Sequence, residues 1–361
     1  MRNSNSTMMK YIKLVLALSI VVIIVCCSKK ETTFERSTVN GIMITRNNGN
    51  PADPEFRIEL KEIGQINMEN VTDSIKFLSS IADVTMDKDG SLFIIDYMKC
   101  KIHKYDKNCN FIKTFGRKGN GPGEFEYVTY MNIREDTIFV PNVSTMMIMK
   151  YDTAGNFIEN KRLYDISKFP MYPEKFGEKY ISQTRDFIPD EEKGIVFYET
   201  ISLYDSDFMF EKHLYINEYS EVGAEPEDLI KKGHRVAFND SNIFGCEVSI
   251  DNYFIDVFNN NGIKKRQIQK NYRRTKSDED SYVNSIQGMQ TDKYGRLWVG
   301  VHDVNFPGKR IYDIYDNDIF INRVTLDIEK GYFGEFIEDK FVAINRDTNS
   351  IKVYEYEEVK E

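Results

Sequence analysis

The sequence predicts an all-β fold, a six-bladed β-propeller closed by an N-terminal strand in the last blade. One pattern recurs along the chain: IHKYDKNCNFIKTF at 102–115, IMKYDTAGNFIENK at 148–161, ISLYDSDFMFEKHL at 201–214, IDVFNNNGIKKRQI at 255–268, YDIYDNDIFINRVT at 312–325 and IKVYEYEEVKE at 351–361. Its fourth place is always aromatic: Tyr105, Tyr151, Tyr204, Phe258, Tyr315 and Tyr354. The first five copies read as strand, Asp/Asn/Gly turn and strand, which is hairpin chemistry and supplies the outer half of a blade. The inner half shows in IADVTMDKDGSLFIID and IQGMQTDKYGRLWVGV, where strand-like runs flank Asp87 to Gly90 and Asp292 to Gly295. Four strands roughly every forty to fifty-odd residues is the period of propeller blades, each covering its neighbour's apolar face.

From the N-terminus, Arg2, Lys10 and Lys13 precede an apolar run from Leu14 to Val25 that is short for a bilayer-spanning helix. It stops at Cys26-Cys27-Ser28-Lys29-Lys30. The segment IIVCCSKK resembles the lipobox of bacterial lipoproteins, which implies export and a lipid anchor. Residues 1–27 are therefore expected to be a signal peptide with Cys27 as the lipidated residue, Cys26 being the alternative. Residues 28–54 are polar and rich in Thr, Asn, Gly and Pro, and are expected to form a flexible tether. The domain is expected over 55–361, with structure beginning near Phe56. The last repeat stops soon after Tyr354, so FRIELKEIGQI, up to Ile66, is assigned as its missing outer strand; closing the ring in this way removes exposed edges. In the third blade, Asp186 to Gly194 is expected to insert a charged loop.

Composition narrows the function classes. Hydrophobic residues make up 41% of the 361, with 24 Phe and 22 Tyr, enough for a folded strand-rich core. A net charge of -9 repels phosphate backbones, so nucleic acid is excluded as an expected partner. Cys100, Cys109 and Cys246 form neither a disulfide framework nor a zinc pairing, and read as small hydrophobes. Asp87-Lys88-Asp89-Gly90 lacks the further oxygen ligands of a calcium loop and reads as a hairpin turn. No cofactor or metal is expected.

The runs DKDGSLFIID, KIHKYD, FIKTFGRKGNGPGEF and DKYGRLWVG resemble six-bladed, NHL-repeat-like propeller lipoproteins of Gram-negative anaerobes, over about residues 56–361. The resemblance implies the fold and a cell-envelope location, here the outer membrane, and no particular activity.

Strand order places the loops after Asp96 and Phe115 at one end of the disc and the turns at 87–90 and 107–110 at the other. The first end carries longer loops, where propeller ligands usually meet the channel, and is the candidate binding face. On it fall Asp96, Tyr97, Asn142, Glu199, Glu247, His302, Asn305 and Arg346, together with Arg117, Lys118, Glu124, Phe125 and Tyr127 around the loop GRKGNGPGEF. That loop's glycines permit positive φ and expose N–H groups, but Pro122 stands where a phosphate loop needs Lys. The bland reading of the loop is an interblade crossover, and that of His302 a solvated histidine. Tyr130 and Phe306 add aromatic surface. No nucleophile and base pair is visible, so the expected function is binding of a glycan, peptide or envelope-protein partner. The alternative is a metal-dependent propeller lactonase or lyase, with ligands converging on the axis; converging acids would favour it.

Overall fold

A computed structural model describes residues 32–165, 168–192, 194–220, 234–276, 282–303, 305–306 and 308–359. The expected signal peptide, Cys26 and Cys27 lie outside these residues. Six antiparallel blades follow one another. Blade 1 comprises Ile81–Met86, Leu92–Asp96, Lys101–Tyr105 and Phe111–Phe115. Blade 2 comprises Asn132–Arg134, Thr137–Asn142, Met147–Asp152 and Phe157–Arg162. Blade 3 is formed by Glu174–Phe176, Lys179–Asp190, Gly194–Tyr204 and Phe210–Ser220, and blade 4 by His234–Phe238, Asn242–Glu247, Phe254–Asn259 and Lys264–Lys270. Gly288–Thr291, Leu297–Val301, Arg310–Asp316 and Ile319–Leu326 make blade 5. Blade 6 has only Phe333–Ile337, Lys340–Asn345 and Ser350–Val359 from the C-terminal end.

The repeat has a physical explanation at both ends of its hairpin. All six fourth-place aromatics are buried, and each packs in the seam with the preceding blade. Tyr151 of blade 2, for example, shares a cluster with Phe93 and Phe115 of blade 1. The turn carboxylates or amides are equally repetitive. The Oδ1 of Asp106 accepts the N–H groups of Asn108 and Asn110, that of Asp205 those of Asp207 and Met209, and that of Asn259 those of Asn261 and Ile263. Asp87 does the same for Asp89 and Ser91, so this oxygen serves the hairpin turn.

The ring closes as the truncated last repeat demands. Arg57–Ile66 pairs antiparallel with Ser350–Val359, from Ile351↔Ile66 to Val359↔Arg57, and completes blade 6. Gly64 sits at the register shift of this ladder, where a Cβ would come within 2.7 Å of the Cys109 Sγ. Cys100 and Cys246 are buried.

Two expectations are corrected. Residues 34–47 are not part of a loose tether: Phe34–Val39 and Ile42–Asn47 form a hairpin over Asn40-Gly41, both at positive φ as a tight two-residue turn requires. Ile42–Asn47 then pairs parallel with Lys264–Lys270, giving blade 4 six strands. Buried Asn47 fixes this extension to blade 5 by donating to the Asp318 carbonyl and accepting from the Phe320 N–H. Nor is 186–194 a charged loop. Pairing runs unbroken from Tyr180↔Tyr204 to Asp190↔Gly194, so the charged stretch prolongs two blade 3 strands into a ribbon at the candidate binding face.

Candidate functional site

The first strand of each blade is innermost and approaches its neighbours' first strands around the axis. A polar residue on these short strands that turns away from the seams therefore meets the channel. Three carboxyls do so: Asp83 from blade 1, Glu174 from blade 3 and Glu335 from blade 6. With Tyr130, Tyr172 and Glu199 they line a cavity of about 650 Å³ at the channel mouth, on the candidate binding face. An adjoining cavity of about 720 Å³ shares Glu174, Val236 and Glu335 and continues to His302. Gly288, which has open space where a side chain would stand, contributes to its width.

The acids act on one another. Burial raises the Asp83 pKa well above the ordinary carboxyl range, and the neighbouring charges of Glu335 and Glu174 add to this; N–H groups of Met131 and Val84, at 2.8 and 2.9 Å, oppose it. Glu174 is pushed up to about 7 by surrounding protein and then by Glu335. Solvent still reaches its carboxyl through the channel, which tempers that desolvation. Glu335 is raised by the same enclosure, and Arg346 pulls it back. The folded chain thus holds protons that an unfolded one gives up, so these carboxyls cost stability as pH rises from the ordinary carboxylate range towards 7.

Tyrosines form the other wall. Tyr130 and Tyr172 meet edge to face at 5.8 Å, and the Tyr130 hydroxyl donates to the Pro173 carbonyl at 3.3 Å. Thr184 and Glu199 lie at the base of the prolonged blade 3 ribbon, which rises beside the mouth.

The residues expected from sequence divide into groups. Phe125 is core, 1% exposed between blades 1 and 2, because Gly116 at φ 74° turns the loop back over its ring. Asp96 is buried and accepts from the Ser79 N–H and hydroxyl and the Lys99 N–H, fixing the loop beneath Tyr97. Asn142 is buried and accepts from the Ser144 hydroxyl. These three positions are corrected from ligand contacts to scaffold. Arg117 pairs with Glu124 and Lys118 with Glu126, so the loop's cationic groups are neutralised internally. Arg346 spans the ring joint, donating to the Ile81 and Ala82 carbonyls. Glu199 lines the mouth cavity, and His302 lies between the channel and a further cavity at the blade 4 and 5 seam. Glu247 is exposed, and Asn305 donates to Asp303. Tyr97 and Tyr127 come together at 6.3 Å on the rim.

Asp83, Glu174 and Glu335 escaped the loop-based reading because they lie on strands. Their signal was present: each is an acid in the first strand of its blade, IADVTM, EKF and FGEFI, the strand that borders the channel. Among the described residues no three His, Cys, Asp or Glu side chains stand close enough to hold one metal ion.

Residues 68–213 match the DUF5128 family model, described as a 6-bladed beta-propeller. No curated protein sequence matches the chain. A Bacteroides vulgatus protein of the DUF4221 family is similar in structure, with a TM-score of 0.51 and 12% identity over 84% of this chain and 99% of its own. A Bacteroides fragilis protein inferred to be exported gives 0.45 and 12% over 88% and 100%. Virginiamycin B lyase from Staphylococcus aureus gives 0.40 and 11% over 83% and 99%. The first of these supports the propeller fold.

Proposed function

We propose that the chain is an exported, lipid-anchored propeller that binds, without turning it over, a glycan or peptide presenting N–H or O–H donors at the channel mouth. The observation that carries this is the convergence of Asp83, Glu174 and Glu335, from three blades distant in sequence, on one solvent-reached cavity beside Tyr130 and Tyr172. Carboxyl acceptors and aromatic edges suit amines and sugar hydroxyls. Acids at the axis are also what the lactonase or lyase reading asks for, but that reading needs several ligands around one ion. The three carboxyls influence one another without forming such a set among the described residues.

Export and anchoring rest on the charged start, the apolar run to Val25 and the lipobox-like IIVCCSKK. Mass spectrometry of the mature protein is expected to find an acylated Cys27 as its first residue; an unmodified N-terminus within 28–33 would contradict this.

The binding test is calorimetric titration with N-acetylated trilysine, whose charge is constant between pH 6 and 8, and with a glucosamine dimer. A cationic ligand favours ionised carboxyls, so binding releases protons. Trilysine affinity is expected to rise with pH through the Glu174 range, by at most about tenfold per pH unit for each proton displaced. Glu335→Gln should weaken both ligands and flatten the pH dependence. Binding by neither ligand, or binding unchanged in Glu335→Gln, would remove the channel mouth as the site.

A further inference from the structure

On the rim beside the mouth, Tyr127 has a backbone φ of 57° and is 66% exposed. A bulky residue in the left-handed region is strained, and strain of this kind persists where something else selects for it. Packing does not explain it here. Phe208, at φ 62°, buries its ring to 2% exposure in a core cluster, whereas the Tyr127 ring is held in solvent. What it meets is Tyr97, ring to ring at 6.3 Å and 51°. Tyr97 is itself fixed from below, since its N–H donates to the Ser80 carbonyl and Asp96 anchors the turn that follows. The nearby charges are matched, Arg117 with Glu124 and Lys118 with Glu126. Two residues beyond Tyr127, Thr129 already lines the mouth cavity, followed by Tyr130 and across it Tyr172.

From this juxtaposition of a strained, exposed Tyr127 and a half-buried Tyr97 with a tyrosine-walled mouth, we infer that Tyr97 and Tyr127 form a rim subsite on which successive rings of an oligosaccharide stack, while its end enters the channel. Neutral surroundings and hydroxyl-tipped rings fit sugar faces; a basic peptide would gain nothing from charges already paired. The inference rests on the channel-mouth reading for where the chain end goes, and deepens it by naming the ligand class.

The experiment titrates β-1,4-linked glucosamine oligosaccharides, from dimer to hexamer, into the wild-type protein, Tyr127→Gly, Tyr97→Ala and Glu335→Gln. In the wild type, affinity should rise with length. In Tyr127→Gly and Tyr97→Ala the dimer should bind as in the wild type and the gain with length should fall about three- to tenfold. Glycine accepts the left-handed backbone, so Tyr127→Gly should melt no lower than the wild type, which separates a binding role from a structural one. Glu335→Gln should weaken every length equally, so failure of the channel reading is distinguishable from failure of the rim. No gain with length, or a gain that survives both tyrosine substitutions, would overturn the rim subsite. An equal, Tyr127-dependent gain for oligolysines of the same lengths would overturn its assignment to saccharides.

Discussion

Deleting residues 56–66 is expected to unfold the whole propeller rather than trim an end. The strand supplies the outer edge of blade 6 along a ladder from Arg57 to Ile66. It also carries two almost fully buried anchors: Phe56 packs with Trp298 and Tyr356, and Ile66 with Leu78 and Val353. Loss of the two side chains alone costs about 5–10 kcal/mol, comparable with the entire stability of a typical domain. Thermal and urea unfolding of the shortened and full chains decide the matter. A cooperative transition near the wild-type midpoint would show that blade 6 holds without it.

Asp313→Asn should be the most damaging single substitution, at about 3–5 kcal/mol. Asp313 is fully buried between blades 4 and 5, accepts from Lys270 at 2.8 Å, Arg323 at 2.7 Å and the Tyr253 hydroxyl at 3.2 Å, and stays ionised although burial opposes it. Lys270 yields instead: burial pushes its pKa down to about 8 despite the carboxylate, and the neighbouring positive charge of Arg323 adds a smaller push in the same direction. Removing the shared carboxylate leaves a lysine with a 7% exposed side chain stacked 3.4 Å over Phe320 with no counter-charge. Adding Lys270→Met to Asp313→Asn should recover a large part of the loss, a coupling that urea unfolding of the single and double variants measures. A deficit under about 1 kcal/mol in the single variant would mean that the network contributes little.

Much of the fold was legible because its causes are local and repeated. The aromatic at the fourth place of each hairpin fills a seam, and the Asp or Asn after it builds a turn, so both recur with the blade. The closing strand was legible by subtraction from the truncated last repeat. The N-terminal hairpin was not, although Asn40-Gly41 between TV and IMI is a strong turn signal; the polar composition of 28–54 outweighed it, and its parallel partner lies more than two hundred residues away in Lys264–Lys270. The ribbon of blade 3 was missed because its tip, Asp190 to Gly194, is charged and outweighed the apolar residues on either side of it, Phe187 and Ile188 before and Ile195 to Tyr198 after.

The candidate site was only partly legible. Loop position gathered Tyr97 and Tyr127, whose rings meet, and Glu199, which lines the mouth cavity, together with Asp96, Asn142 and Phe125, whose side chains are buried and brace the loops from within. Reading the first strands for acids would have found Asp83, Glu174 and Glu335, since a side chain on those strands that turns away from the seams meets the channel.

Hydrogen exchange of the protein with and without the glucosamine hexamer tests the channel-mouth claim most directly. The expected result is protection in the first strands of blades 1, 3 and 6, Ile81–Met86, Glu174–Phe176 and Phe333–Ile337, together with the segment from Tyr127 to Tyr130. Protection confined to the seam between blades 4 and 5, or to the turns at 87–90 and 107–110 on the opposite face, would contradict it.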